Sequence, residues 1–79
     1  MKLYIVLSQG SNSEGHDSSF SLHINKAEAI NCFNAIKADL IQMAEEGGWE
    51  VTETENEFEI VSSNDWLIYE DVQLIEYEI

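Results

Sequence analysis

In LYIVLS, residues 3–8, Leu3, Ile5 and Leu7 alternate with Tyr4 and Val6, so both faces of the segment are apolar. Such a strand belongs in the interior of a sheet, one face against a helix and the other partly covered. The stretch QGSNSEGHDSS, 9–19, is polar and rich in glycine, serine and asparagine, and is predicted as a loop. SFSLHI, 19–24, alternates cleanly: Phe20, Leu22 and Ile24 are predicted to face the core, and Ser19, Ser21 and His23 to face water. The two strands form a predicted antiparallel hairpin.

The period then changes. Between Lys26 and Glu46, Ala29, Phe33, Ile36, Leu40 and Met43 fall on one helical face, flanked by Ile30, Ile41 and Ala44. Asn25 is placed as the N-cap, with Glu28 three residues on in capping-box spacing, and Gly47-Gly48 ends the helix. Cys32 is placed off the core stripe, near its edge. Lys37 lies beside the stripe and is expected to snorkel.

Period-2 alternation resumes in WEVTET and EFEIVS, a hairpin turning at Glu55-Asn56, where Asn56 suits a positive φ. This register pairs Val51 with Ile60 on the inner face and turns Glu50, Glu57 and Glu59 outward. In DWLIYEDVQLIEYEI, 65–79, Trp66 and Ile68 share one parity while Ile75, Tyr77 and Ile79 share the other, which predicts a bulge or short turn near Glu70-Asp71. The layout is ββαβββ: one α+β domain over residues 1–79, an antiparallel sheet with one helix packed on one face.

Charge changes the picture. The chain has 16 acidic residues against 3 basic ones, net −13. Residues 1–44 hold four of the acids and all three lysines, whereas residues 45–79 hold the other twelve acids and no base. A hydrophobic content of 44% places this charge on a folded body, not on a disordered tail. Direct binding to nucleic acid or to an anionic membrane is not expected, because both need lysine or arginine to displace counterions. A basic partner protein is favoured.

Consecutive outward side chains on a strand stand about 7 Å apart. Phosphates rise about 3.4 Å along each strand of a duplex and are further apart than that through space, because the row winds. A row of carboxylates such as Glu57 and Glu59 therefore suits the phosphate sites of a nucleic-acid-binding protein. Glu45 and Glu46 sit at the negative end of the helix dipole, where each costs about 0.3–1 kcal/mol. A local rule broken without visible compensation points to function. The residues expected to carry partner binding are Glu45, Glu46, Glu50, Glu55, Glu57 and Glu59, with Asp65, Glu70 and Asp71 as a second group.

Other chemistry finds little support. His16, His23 and Cys32 show no ligand or nucleophile spacing, and CxxC, HExxH, EF-hand and phosphate-loop patterns are missing. No catalytic residue, metal or cofactor is expected, and the protein is not expected to be an enzyme. One cysteine permits no intrachain disulfide, and the five-residue apolar run near the start is too short for a signal-peptide core. Both favour the cytoplasm. Trp49 and Trp66 read as core residues, with Tyr69 and Tyr77 as candidates for a protein interface. The C-terminal strand, placed at an edge, would let a second copy pair with it as a homodimer.

A compact acidic domain with carboxylates on a sheet and a helix end resembles the phage-encoded DNA-mimic inhibitors, which include anti-restriction proteins, anti-CRISPR proteins and uracil-glycosylase inhibitors. The likeness lies in size, charge and layout, and the MKLYIV opening and LIEYEI close are similar to many small phage proteins. It implies a phage or mobile-element protein that acts in the cytoplasm of a bacterial host and blocks a nucleic-acid-binding complex of host defence. The alternatives are an inhibitor that binds such a complex away from its nucleic-acid groove, or a small phage accessory or assembly module whose acidic surface is merely solvated.

Overall fold

The computed structural model describes residues 1–12, 14–63 and 68–79. Five strands, β1 (Lys2–Asn12), β2 (Gly15–His23), β3 (Glu50–Glu53), β4 (Glu57–Val61) and β5 (Tyr69–Glu78), form one antiparallel sheet in the order β2-β1-β5-β4-β3. One helix, α1 (Lys26–Gly47), packs on one face, so the ββαβββ layout holds.

The helix begins and ends where local chemistry dictates. The Asn25 side chain accepts from the backbone N–H of Ala27 at 2.8 Å and of Glu28 at 3.3 Å, satisfying two donors the first turn cannot pair. Gly48 closes the other end in the left-handed conformation (φ 66°), with its N–H on the Ala44 carbonyl. Ala29, Phe33, Leu40 and Ala44 are buried against Val6, Phe58, Ile60 and Val72 of the sheet. Cys32, Ile36, Tyr4, Trp49 and Leu74 pack around this core, so the thiol is closer to it than expected. Met43 is 39% exposed, because the helical repeat carries the buried stripe from Leu40 to Ala44 instead.

Several expectations are overturned. Residues 9–12 and 15–19 are strand and not loop: β1 runs through Asn12 and β2 starts at Gly15, in unbroken register from Asn12↔Gly15 to Tyr4↔His23. The ladder is made by backbone groups, which serine, glutamine and aspartate supply as well as valine does. A short turn closes it, with the Asn12 Oδ1 accepting from the Glu14 N–H at 2.8 Å and Gly15 at φ 146°, a region open to glycine. The second hairpin does turn at Glu55-Asn56 with Val51 opposite Ile60, but without a positive φ at Asn56. The Thr54 N–H donates to the Glu57 carbonyl at 2.8 Å to close it.

The bulge or short turn expected near Glu70-Asp71 is also absent: β5 pairs continuously with β1 from Ser11↔Tyr69 to Lys2↔Glu78. Nor is β5 an edge. It is the central strand, paired on both sides, and cannot add a second copy by backbone pairing; β2 and β3 are the edges. Trp66 lies outside the described residues.

The largest correction concerns β2. Ser21 and His23 face the helix, and Phe20 and Leu22 face away from it, 67% and 58% exposed, while Ile24 beyond the strand is 72% exposed. The register sets Ser21 beside Val6 under the helix, where its hydroxyl meets the His23 Nε2 at 2.8 Å and the Cys32 Sγ at 3.7 Å. Alternation identifies residues that share a face; which face a helix covers is a separate matter.

Candidate functional site: the open face of the sheet

Alternation along each strand divides the sheet into a helix side and an open side. Val6, Ser21, Val72, Phe58 and Val51 lie on the helix side, and their strand neighbours lie on the open side. The open face has two halves. Phe20 and Leu22 of β2, Leu3, Ile5 and Leu7 of β1, and Ile75 and Tyr77 of β5 form an apolar half. Glu57 and Glu59 of β4, Glu50 of β3 and Asp71 of β5 form an acidic half. They meet at Gln73, which stands between Leu7 and Glu57 in the register.

All three lysines are on the other side. Lys2 pairs with Glu76 at 2.7 Å, Lys37 pairs with Glu53, and Lys26 lines the cleft between helix and sheet that Lys37 and Glu76 also line. Lys37 also lies 5.6 Å from the centre of the Phe58 ring, so the snorkelling position is occupied as expected. Among the described residues, Glu50, Glu57, Glu59 and Asp71 meet no lysine or N-terminal ammonium at ion-pair distance.

Asp71 is the buried member of this group, 3% exposed, between Gln9 of β1 and Glu59 of β4 in the register. The Gln73 Nε2 donates to its Oδ1 at 3.1 Å, and its Oδ2 is buried without a hydrogen-bond partner. Burial pushes its carboxyl up to about 7; the neighbouring Glu57 carboxylate and then the charge of Glu59 push the same way, against the Gln73 bond. Three or more His, Cys, Asp or Glu side chains do not converge on a metal-sized point among the described residues.

Of the nine acids expected to carry partner binding, the open face gathers four: Glu50, Glu57 and Glu59 of the first group and Asp71 of the second. Glu45 and Glu46 end the helix in the opposite layer, where Glu46 accepts from the Gln42 side chain at 3.2 Å and Glu45 lies near Trp49 and Glu53. Glu55 is at the β3–β4 turn, at the cleft that holds Lys26 and Lys37. Glu70 neighbours Asp71 in sequence and so points to the other face, across from Gly10, where burial and then the charge of Asp17 raise its carboxyl. Asp65 lies outside the described residues.

The apolar half escaped the sequence reading, although a signal existed. Strands β1 and β5 are apolar on both faces, and a single helix covers only one face of a sheet. A second apolar face in a two-layer domain is a surface left over.

Against known proteins, the chain matches no family model, no curated sequence and no solved structure. Among the described residues no helix is long and apolar enough to cross a membrane.

Proposed function

We propose that this protein is an acidic inhibitor that binds the basic nucleic-acid-binding surface of a host defence complex, as the DNA-mimic and anti-CRISPR class of phage proteins does. The observation that carries the reading is the division of charge: Glu50, Glu57, Glu59 and Asp71 stand unanswered on an uncovered sheet face, and every lysine stands behind it. Such a field speeds encounter with a cationic partner and disfavours anionic ones.

A second reading is favoured by one feature. Glu59 and Asp71 are direct cross-strand partners, on the order of 5 Å apart at Cβ, closer than neighbouring phosphates. Two carboxylates that close repel each other and are a poor copy of a phosphate row. This favours an inhibitor seated on a basic surface beside the nucleic-acid groove.

The test is capture from bacterial lysate at low salt on the immobilised protein, followed by competition with duplex DNA or RNA. Reversing Glu50, Glu57 and Glu59 to lysine is expected to abolish retention that reversing Glu14 and Glu28 leaves intact. Displacement by nucleic acid supports occupation of the groove; charge-sensitive retention without displacement supports the neighbouring surface. Equal loss from both sets of reversals, or retention indifferent to salt, would overturn both and leave the accessory-module alternative.

A further inference from the structure

The acidic half of the open face does not stand alone, and its neighbour narrows the chemistry of what it binds. Phe20 and Leu22 expose large apolar surface on β2, continuous through Leu7 and Ile5 on β1 to Ile75 on β5. Gln73 then leads to Glu57 and Asp71 to Glu59. Neighbouring strands are about 4.8 Å apart, so three strand intervals, roughly 15 Å, separate the apolar rim from the acidic one. That span accommodates one helix, which is about 10–12 Å across with its side chains.

Resting on the reading above, we propose that the open face docks a cationic amphipathic segment of the partner protein, with its apolar side chains on Phe20, Leu22, Ile5 and Ile75 and a lysine or arginine donating to Asp71, Glu57 and Glu59. Two independent observations select this occupant. Charge complementarity requires a base, and this chain offers none on that face. The Asp71 Oδ2 is buried without a donor, a condition native proteins rarely leave uncorrected, and an ammonium or guanidinium from outside supplies that donor. A second copy of the chain supplies neither: it brings a further net charge of −13 and the same acids.

The test uses labelled synthetic peptides and fluorescence anisotropy with the full chain. One peptide is an amphipathic helix of leucine and lysine; the other has the same lysines with glutamine in place of leucine. The amphipathic peptide is expected to bind at least about tenfold more tightly. Phe20→Ser with Leu22→Ser is expected to erase that advantage, and Glu57→Gln with Glu59→Gln, or Asp71→Asn, to weaken both peptides. Ile41→Ser with Met43→Ser, and Glu14→Gln with Glu28→Gln, serve as controls away from the face and are expected to change nothing. Circular dichroism establishes that each variant is folded.

Equal binding of the two peptides, still lost in Glu57→Gln with Glu59→Gln, overturns this inference and leaves the acidic reading standing. Binding of neither peptide overturns both. Controls that weaken binding as much as the open-face variants overturn the placement. Sedimentation equilibrium covers the remaining occupant: a dimer that Phe20→Ser with Leu22→Ser converts to monomer assigns the face to a second copy and overturns the proposal.

Discussion

Asp71 stands directly across the β4–β5 ladder from Glu59, two acids where cross-strand neighbours ordinarily carry opposite or no charge. Burial, and after it the neighbouring Glu57 and then Glu59, push the Asp71 carboxyl up to about 7 from an ordinary 3.8. A folded-state value raised in this way stabilises the protein at low pH. The stability is lost as pH climbs from about 4 through 7, because the unfolded chain has already released the proton that the folded chain retains. The groups facing Asp71 are Glu57 and Glu59 from β4, and β1 contributes the uncharged Gln9.

Asp71→Asn is therefore expected to raise the thermal midpoint at pH 8 by several degrees, about the equivalent of 1 kcal/mol in a domain of this size, and to raise it by clearly less at pH 5. Thermal unfolding followed by circular dichroism at the two pH values checks it. Equal shifts at both would show that the carboxyl is not the titrating group.

Lys37→Met removes the ion pair with Glu53 and the cation over the Phe58 ring. Both sit at a part-exposed site, so the expected loss is about 0.5–1 kcal/mol. Urea unfolding at low and high salt separates the contributions: the difference between variant and wild type should shrink, without vanishing, as salt rises, since methionine keeps the packing but not the charge.

Glu45→Lys and Glu46→Lys place positive charge at a helix end that has no base in its last turn. Each is expected to stabilise by about 0.3–1 kcal/mol in denaturant unfolding. Because neither residue lies on the open face, both variants should retain partner binding that Glu57→Lys destroys. Loss of binding with either would return the helix end to the site.

Asn25→Ala and Gly48→Ala test the two helix ends. The first leaves the Ala27 and Glu28 N–H groups without their side-chain acceptor and should cost about 1 kcal/mol. The second forces a Cβ into the left-handed conformation, at a similar cost of about 1 kcal/mol. In a small domain these are large fractions of the total stability, measurable as a shift in the urea midpoint without a change in slope.

What the residues determined by themselves is local. Asn25 and Gly47-Gly48 bound the helix because capping depends on neighbours within a few positions. The Val51–Ile60 register and the outward Glu50, Glu57 and Glu59 follow from one hairpin. The stripe from Ala29 to Leu40 follows from the helical repeat. The lopsided charge and the single α+β domain are likewise properties of composition and order.

What only the tertiary structure decided is which side of the sheet the helix covers. Phe20, Leu22 and Ile75 alternate as core residues do, yet they lie on the uncovered face, while Ser21 lies beneath the helix. Strand order, equally non-local, moved β5 from an edge to the centre and brought Asp71 beside Glu59. Alternation has a period of two and carries no sign; the sign comes from long-range packing, where Ser21 under Cys32 and Val72 under the helix together set which face is closed.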